Sequence, residues 1–291
     1  TDPKAQITSL TWGYGHLLKR KQNAAGNDFH YTHNPLGQVT VAQGWNFVYS
    51  YDYDTAHRLE SVTDRRANKK LTYRYSPGGL LNSLEDSDGN LTSYLYDRAG
   101  RLSSIRAPGN ENLTYLYDAG GRLVEKWLPN GNTTRYQYNA DNTLSQLVNR
   151  SGSGAIVSQH DYSYDPLTRQ RLTHTENVNG TSKAYSYVYD ELNRLHEVKV
   201  GGASQESYTY DALDNRYTKT AAGQTSYYIY DAANQLKEIR LGSETGTIQA
   251  SYSYDDVGNL TLRDVGGAKH AFGYNGFNQL TQIRKDSLSG A

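Results

Sequence analysis

Several sets of side chains in this sequence have types and spacings that could do chemistry. Carboxylates recur beside arginines. Asp97 stands four residues before Arg101, Asp118 before Arg122 and Asp190 before Arg194. A pair of carboxylates is the machinery of glycoside hydrolysis, provided the two sit in unlike surroundings. Here one Asp returns in copy after copy in the same slot, so no member of the set is distinguished from the others. The expectation is a chain without a catalytic site, in which each Asp–Arg pair braces a turn. Exposed, such a pair contributes about 0–1 kcal/mol.

The histidines give a similar reading. His30 and His33 resemble a ligand pair, but residues three apart on a strand face opposite sides. His16, His57, His160, His174, His196 and His270 are dispersed and carry no metal-ligand spacing. Asp86-Ser-Asp88-Gly89-Asn90 has the look of the start of a calcium loop. The bidentate Glu that should follow is missing, and Asp-Gly suits a turn between strands. With no cysteine there is neither a disulfide framework nor a thiolate metal site. No cofactor and no metal are expected.

The elements that position these residues are set by a repeat. A pair of aromatics separated by one residue returns roughly every 20–26 residues, with first members at Tyr31, Tyr51, Tyr73, Tyr94, Tyr115, Tyr136, Tyr162, Tyr187, Tyr208, Tyr228, Tyr252 and Phe272. A decayed copy starts at Trp12, with Tyr14 in its second slot. Residues i and i+2 share a face of a strand, whereas on a helix they would diverge by about 200°. The residue between them varies freely (Asp52, Arg74, Leu95, Gln137, Val188), so one face is aromatic and the other mixed and partly solvated. Asp, two residues and then Gly or Asn follow the second aromatic, as in Asp97 to Gly100 and Asp118 to Gly121. Asp caps tight turns and Gly or Asn accepts positive φ. The return strand opens at Leu102, Leu123 or Leu195. Each unit therefore reads as a β-hairpin.

Composition shapes what these hairpins can build. The 291 residues have a formal net charge of zero, no methionine, and 27 Tyr against 4 Phe. Leu, Ile, Val and Phe make up less than a fifth of the chain, and the mean hydropathy is −0.80. A dry core is not available from this inventory. Each buried tyrosine hydroxyl needs a partner or water, so the aromatic face should be hydrogen-bonded or hydrated. Balanced charge argues against nucleic acid as partner. No apolar run is long enough to cross a bilayer, and no signal peptide is visible. The absence of Met at position 1 suggests a piece of a longer polypeptide.

Twelve hairpins give about 24 strands, a strip on the order of 115 Å long. Open twisted sheets rarely exceed about ten strands without curling or closing. The expected fold is all-β: tandem β-hairpin repeats forming a long antiparallel sheet that spirals into part of a hollow shell, tyrosines on its concave side. Residues 1–291 read as one repeat array, with a degenerate first copy near 10–25 and longer inter-repeat loops near 149–160, 174–184 and 241–250.

The unit Tyr-x-Tyr-Asp-x-x-Gly-Arg-Leu, sharpest at Tyr94-Leu-Tyr96-Asp97-Arg-Ala-Gly100-Arg101-Leu102 and Tyr115-Leu-Tyr117-Asp118-Ala-Gly-Gly121-Arg122-Leu123, and recognisable at Tyr187, Tyr189, Asp190, Arg194 and Leu195, resembles the RHS or YD repeat. The resemblance covers nearly the whole chain. Similar repeats occur in bacterial Rhs polymorphic toxins, the C component of insecticidal Tc complexes, wall-associated proteins and teneurins. It implies a sheet wound into a shell that, in the toxins, encloses a C-terminal toxic domain. The Asp-Pro-rich core motif that ends the toxin shells is not seen after Leu280, and Asp165-Pro166 is an isolated dipeptide in a turn. Neither autoproteolysis nor toxic cargo is therefore assigned to these residues. The resemblance implies a secreted or cell-surface protein whose partners are its own toxin or effector domain or the remaining shell repeats. A surface adhesion or carbohydrate-binding module, with glycans as partners, is the alternative.

Overall fold

The computed structural model describes residues 7–23 and 26–286. It is all-β, with 26 strands numbered β1 to β26 in chain order, from Ser9–Trp12 (β1) and Leu18–Gln22 (β2) to Ala268–Tyr274 (β25) and Leu280–Asp286 (β26). The only helical pieces among the described residues are two three-residue 3₁₀ turns, Tyr14–His16 and Pro108–Asn110. Every strand pairs antiparallel with its neighbours in sequence, giving one uninterrupted up-and-down sheet. Among the described residues no ladder joins β1 to β26, so the sheet is not a closed barrel.

The expected repeat is present, with a defect built into each copy. In every hairpin the ladder slips by one residue just before the second aromatic: Leu116 pairs with Glu125, but Tyr117 pairs with Leu123. The same slip occurs at Tyr53, Tyr75, Tyr138, Tyr164, Tyr189, Tyr210, Tyr230, Tyr254 and Tyr274. A β-bulge bends its strand and sharpens the local twist. Repeated at one position in each hairpin, it gives the whole sheet a consistent curvature.

The bulge also corrects the first copy. Trp12 pairs with Leu18 across a slip between Thr11 and Trp12, so Trp12 stands in the second slot and Leu10 in the first. Tyr14 lies in the 3₁₀ turn and is fully exposed. The reading that set Tyr14 in the second slot was out of register by two. The extra residues near 174–184 also differ from a loop insertion. They lengthen β16 (Arg171–Val178) and β17 (Thr181–Tyr189), which are joined by a two-residue Asn179-Gly180 turn with positive φ at both positions. Near 149–160 and 241–250 the connections are short as well, and β15 (Ile156–Tyr164) and β23 (Thr247–Tyr254) are long.

The interior is as sparse as the composition requires. The buried apolar residues among those described are Ala42, Val148, Tyr228 and Ala250. The most deeply buried side chain among the described residues is Ser61, whose hydroxyl donates to Asp52 Oδ2 at 2.7 Å on the mixed face.

The direction of curvature is fixed by contacts between the two ends. Phe29 in β3 (Asp28–His33), on the tyrosine face, meets Phe277 of the β25–β26 turn edge to face, ring centroids 5.0 Å apart. Lys21, which pairs with Phe29, sets its ammonium 4.4 Å from the Phe277 ring centre. Phe47 packs against Phe29 at 5.8 Å and stacks on Tyr49. A strip brings its last turn onto the tyrosine side of its first strands only by curving toward that side. The tyrosine face is therefore concave. Twenty-six strands at about 4.8 Å each describe a contour near 125 Å, or about 40 Å across when the ends meet.

Candidate functional site

The concave tyrosine face is the candidate site, and the repeats around Asp54, Asp97, Asp118 and Asp190 build it in the same way. The turn comes first. Asp97 receives the amides of Ala99 and Arg101 on Oδ1 and the Arg101 Nε on Oδ2 at 2.7 Å. Gly100 takes φ +76° to close it. Asp118 holds Arg122, and Asp190 holds Arg194, in the same manner, while Gly121 and Asn193 occupy the left-handed position. The Arg101 side-chain and backbone bonds hold the Asp97 carboxyl below the usual carboxylate range. For Asp118 and Asp190 the backbone amide of the arginine is the leading cause of the same shift. The Asp54 turn is built in the same way with Arg58, whereas Asp211 and Asp255 hold Asn215 and Asn259, and Arg194 is shared between Asp190 and Asp214. The Asp86 turn is capped in the same way, by the amides of Asp88 and Asn90, with Lys69 paired to Asp88 at 2.7 Å.

The arginine then reaches into the next repeat. Arg101 lies over the Tyr117 ring, 4.7 Å from its centre, and donates from Nη1 to the Asp118 carbonyl. Arg122 stacks on Tyr138 at 4.9 Å, Arg58 on Tyr75 at 4.6 Å and Arg194 on Tyr210 at 4.6 Å. The guanidinium thus bridges two hairpins: it is paired within its own and stacked on the neighbouring one.

The two tyrosines of a repeat do different work. The second donates its hydroxyl back to the preceding hairpin, to the carbonyl of the residue opening its return strand. Tyr96 bonds Leu81 at 2.9 Å, Tyr117 bonds Leu102 at 2.8 Å, Tyr138 bonds Leu123 at 2.8 Å and Tyr210 bonds Leu195 at 2.7 Å. Tyr189 reaches Arg171 at 2.8 Å, and the series continues from Tyr53 to Tyr274. These latches satisfy the hydroxyls that composition said must be satisfied. Burial pushes the Tyr75, Tyr138, Tyr189 and Tyr254 phenols up. First-slot tyrosines such as Tyr94, Tyr115, Tyr136 and Tyr187 are half-buried, and their hydroxyls have no hydrogen-bond partner among the described residues. None of these hydroxyls is a buried orphan, so they open to solvent on the concave side. Tyr208 is an exception in this slot: it donates to Glu206, itself paired with Lys219, and burial together with that bond pushes its phenol to about 12.

One grouping escaped the sequence reading. His160 in β15 and His174 in β16 were dispersed by spacing, yet the register sets Tyr162 opposite His174 and His160 opposite Glu176. His160 Nδ1 lies 3.1 Å from His174 Nε2, and His174 is stacked between Tyr162 and Tyr185. Burial, then the neighbouring His160, holds His174 below the usual histidine range. The signal that could have found the pair is the hairpin itself, since equal offsets from its turn place residues on facing strands. His30, by contrast, sits with Asp28 at 3.2 Å, on the face opposite His33.

A strip of latched hairpins curled onto its own tyrosine face defines the class of hollow-shell wall proteins. Residues 43–165 and 155–289 match the family model described as teneurin YD-shell. The chain belongs to that family, and its repeats are YD repeats. No curated protein sequence matches it. Among solved structures it is similar to TcdB2-TccC3-TEV, with 13% identity and a TM-score of 0.42, over 98% of this chain and 21% of that one. It is also similar to the Photorhabdus luminescens Tc holotoxin pore, with 14% identity and a TM-score of 0.37, over 98% of this chain and 20% of that one. The chain spans about a fifth of the length of these structures. No helix among the described residues is long and apolar enough to cross a membrane.

Proposed function

We propose that this chain is a non-catalytic wall segment of a YD-repeat shell that encapsulates, and helps to deliver, a toxin or effector domain lying outside these residues. The supporting observation is the division of labour between the tyrosines. Second-slot hydroxyls are used up in holding hairpin to hairpin, while first-slot hydroxyls such as those of Tyr94, Tyr115, Tyr136 and Tyr187 line the concave side and remain open. A wall of rings and free hydroxyls, poor in aliphatic surface, touches an enclosed chain everywhere without offering it a dry complementary core on which to fold. Each of Asp54, Asp97, Asp118 and Asp190 is engaged by the amide and guanidinium of the arginine four residues on, which favours a structural over an acid–base role. Secretion, or display at the cell surface, suits a container that travels with its cargo.

The test is made on the full-length parent protein. Hydrogen exchange of the enclosed domain should show an unfolded chain that is nevertheless protected from added protease, with protection lost when the latch tyrosines are replaced by Phe in several adjacent repeats. A cargo that is folded, or equally digestible with and without the wall, overturns the reading. Specific binding of this segment to a defined sugar on a glycan array would favour the carbohydrate-binding alternative.

A further inference from the structure

We propose that His160, His174 and Glu176 form a binding site for one divalent transition-metal ion on the concave face. One ligand atom from each lies within 4.8 Å of the others. Zinc binds imidazole nitrogen at about 2.0–2.1 Å in tetrahedral geometry, which sets two such nitrogens about 3.3 Å apart. The His160 Nδ1 to His174 Nε2 separation of 3.1 Å already matches that spacing. The two nitrogens are hydrogen-bonded to each other; an ion would replace that bond with two metal–nitrogen bonds, the rings adjusting about χ2, a soft torsion for histidine.

The surroundings are those of a prepared ligand set. Both rings are half-buried in a stack running Tyr162, His174, Tyr185, with His160 alongside His174 and Tyr162, which restricts their orientation. Tyr185 donates its hydroxyl to Glu176 Oε1 at 2.9 Å, orienting the carboxylate as an outer-shell partner would and leaving Oε2 for the ion. Two imidazoles and a carboxylate suit zinc and its neighbours rather than calcium or magnesium. Three protein ligands leave a fourth position for water or an incoming group. Tyr185 also lines a neighbouring hollow with Lys183, Val198, Val200 and Glu206. Bound there, the ion would cross-link β15 to β16 within the stretch where the strands are longest.

The experiment uses the 291-residue chain without any histidine tag, titrated with Zn²⁺ and, for its visible spectrum, Co²⁺. The chain has no cysteine to compete. One ion per chain should bind, with a four-coordinate Co²⁺ spectrum. Affinity should fall at least about 100-fold in His160→Ala and His174→Ala, and about 10-fold in Tyr185→Phe, which keeps all three ligands. Glu176→Gln, nearly isosteric, should weaken binding while leaving the circular dichroism unchanged. Absence of stoichiometric binding, or affinity unchanged in a folded His160→Ala/His174→Ala double variant, overturns the proposal.

Discussion

Arg101 is held by Asp97 in its own hairpin and lies over the Tyr117 ring in the next, 4.7 Å from the ring centre. That one side chain joins the local fold to the assembly of repeats. Replacing it by Lys keeps the charge but removes the planar fork and the stacking surface. Arg101→Lys should therefore lower stability toward urea by about 0.5–1 kcal/mol. A Tyr117→Leu background should abolish most of that difference in a double-mutant cycle.

The tyrosine latches are predicted to be separately measurable. Tyr96→Phe keeps the ring and deletes the hydroxyl that bonds the Leu81 carbonyl. The expected cost is about 1 kcal/mol. Tyr94→Phe removes a hydroxyl with no partner among the described residues, and chemical denaturation should find it close to neutral.

The turn closes through a left-handed residue, and the sequence already shows what that position tolerates. Gly100 has φ +76°, and Asn193 holds the same slot at φ +64°. Gly100→Asn should be nearly neutral. Gly100→Val puts a β-branched residue where L side chains are strained and should cost about 1–2 kcal/mol by thermal denaturation.

Two pH limits follow from the shifted groups. The Asp54, Asp97, Asp118 and Asp190 carboxyls are lowered in the folded state by bonds from the arginine that follows each. The unfolded chain therefore binds protons first as pH falls. Their contribution is complete above the unfolded value of about 3.9 and is lost as pH drops through the folded values. At the alkaline end the raised phenols act in the opposite sense. Between about 10 and the folded value, about 12 for Tyr208, the unfolded state loses protons that the folded state keeps, so stability falls as pH rises. Denaturation midpoints across both ranges, with phenolate absorbance followed at the alkaline end, check the two limits.

Most of the repeat was legible because it rests on local rules. A period of two placed Tyr94 with Tyr96, and Asp97 with Gly100 marked the turn. The need to satisfy hydroxyls foretold bonded tyrosines but not their acceptors, which belong to the preceding hairpin. The Arg101–Tyr117 stack was hidden for the same reason: it depends on how one hairpin is laid on the next. Tyr14 was misplaced because its copy lacks the Asp that locates the bulge, and only the Trp12–Leu18 pairing reveals the register. His160 and His174 looked dispersed because their meeting is a property of facing strands, not of spacing along one.

The central claim is that the strip curves toward its tyrosine face until its ends meet. The absence of native cysteine allows clean pairwise spin labelling. Labels at Leu36, exposed in the β3–β4 turn, and Gln282 in β26 would lie about 105 Å apart on a flat sheet of this strand count. Double electron–electron resonance should return a single distance under about 50 Å. A distribution centred near the flat-sheet value would show that the wall does not close upon itself, and the account would fail.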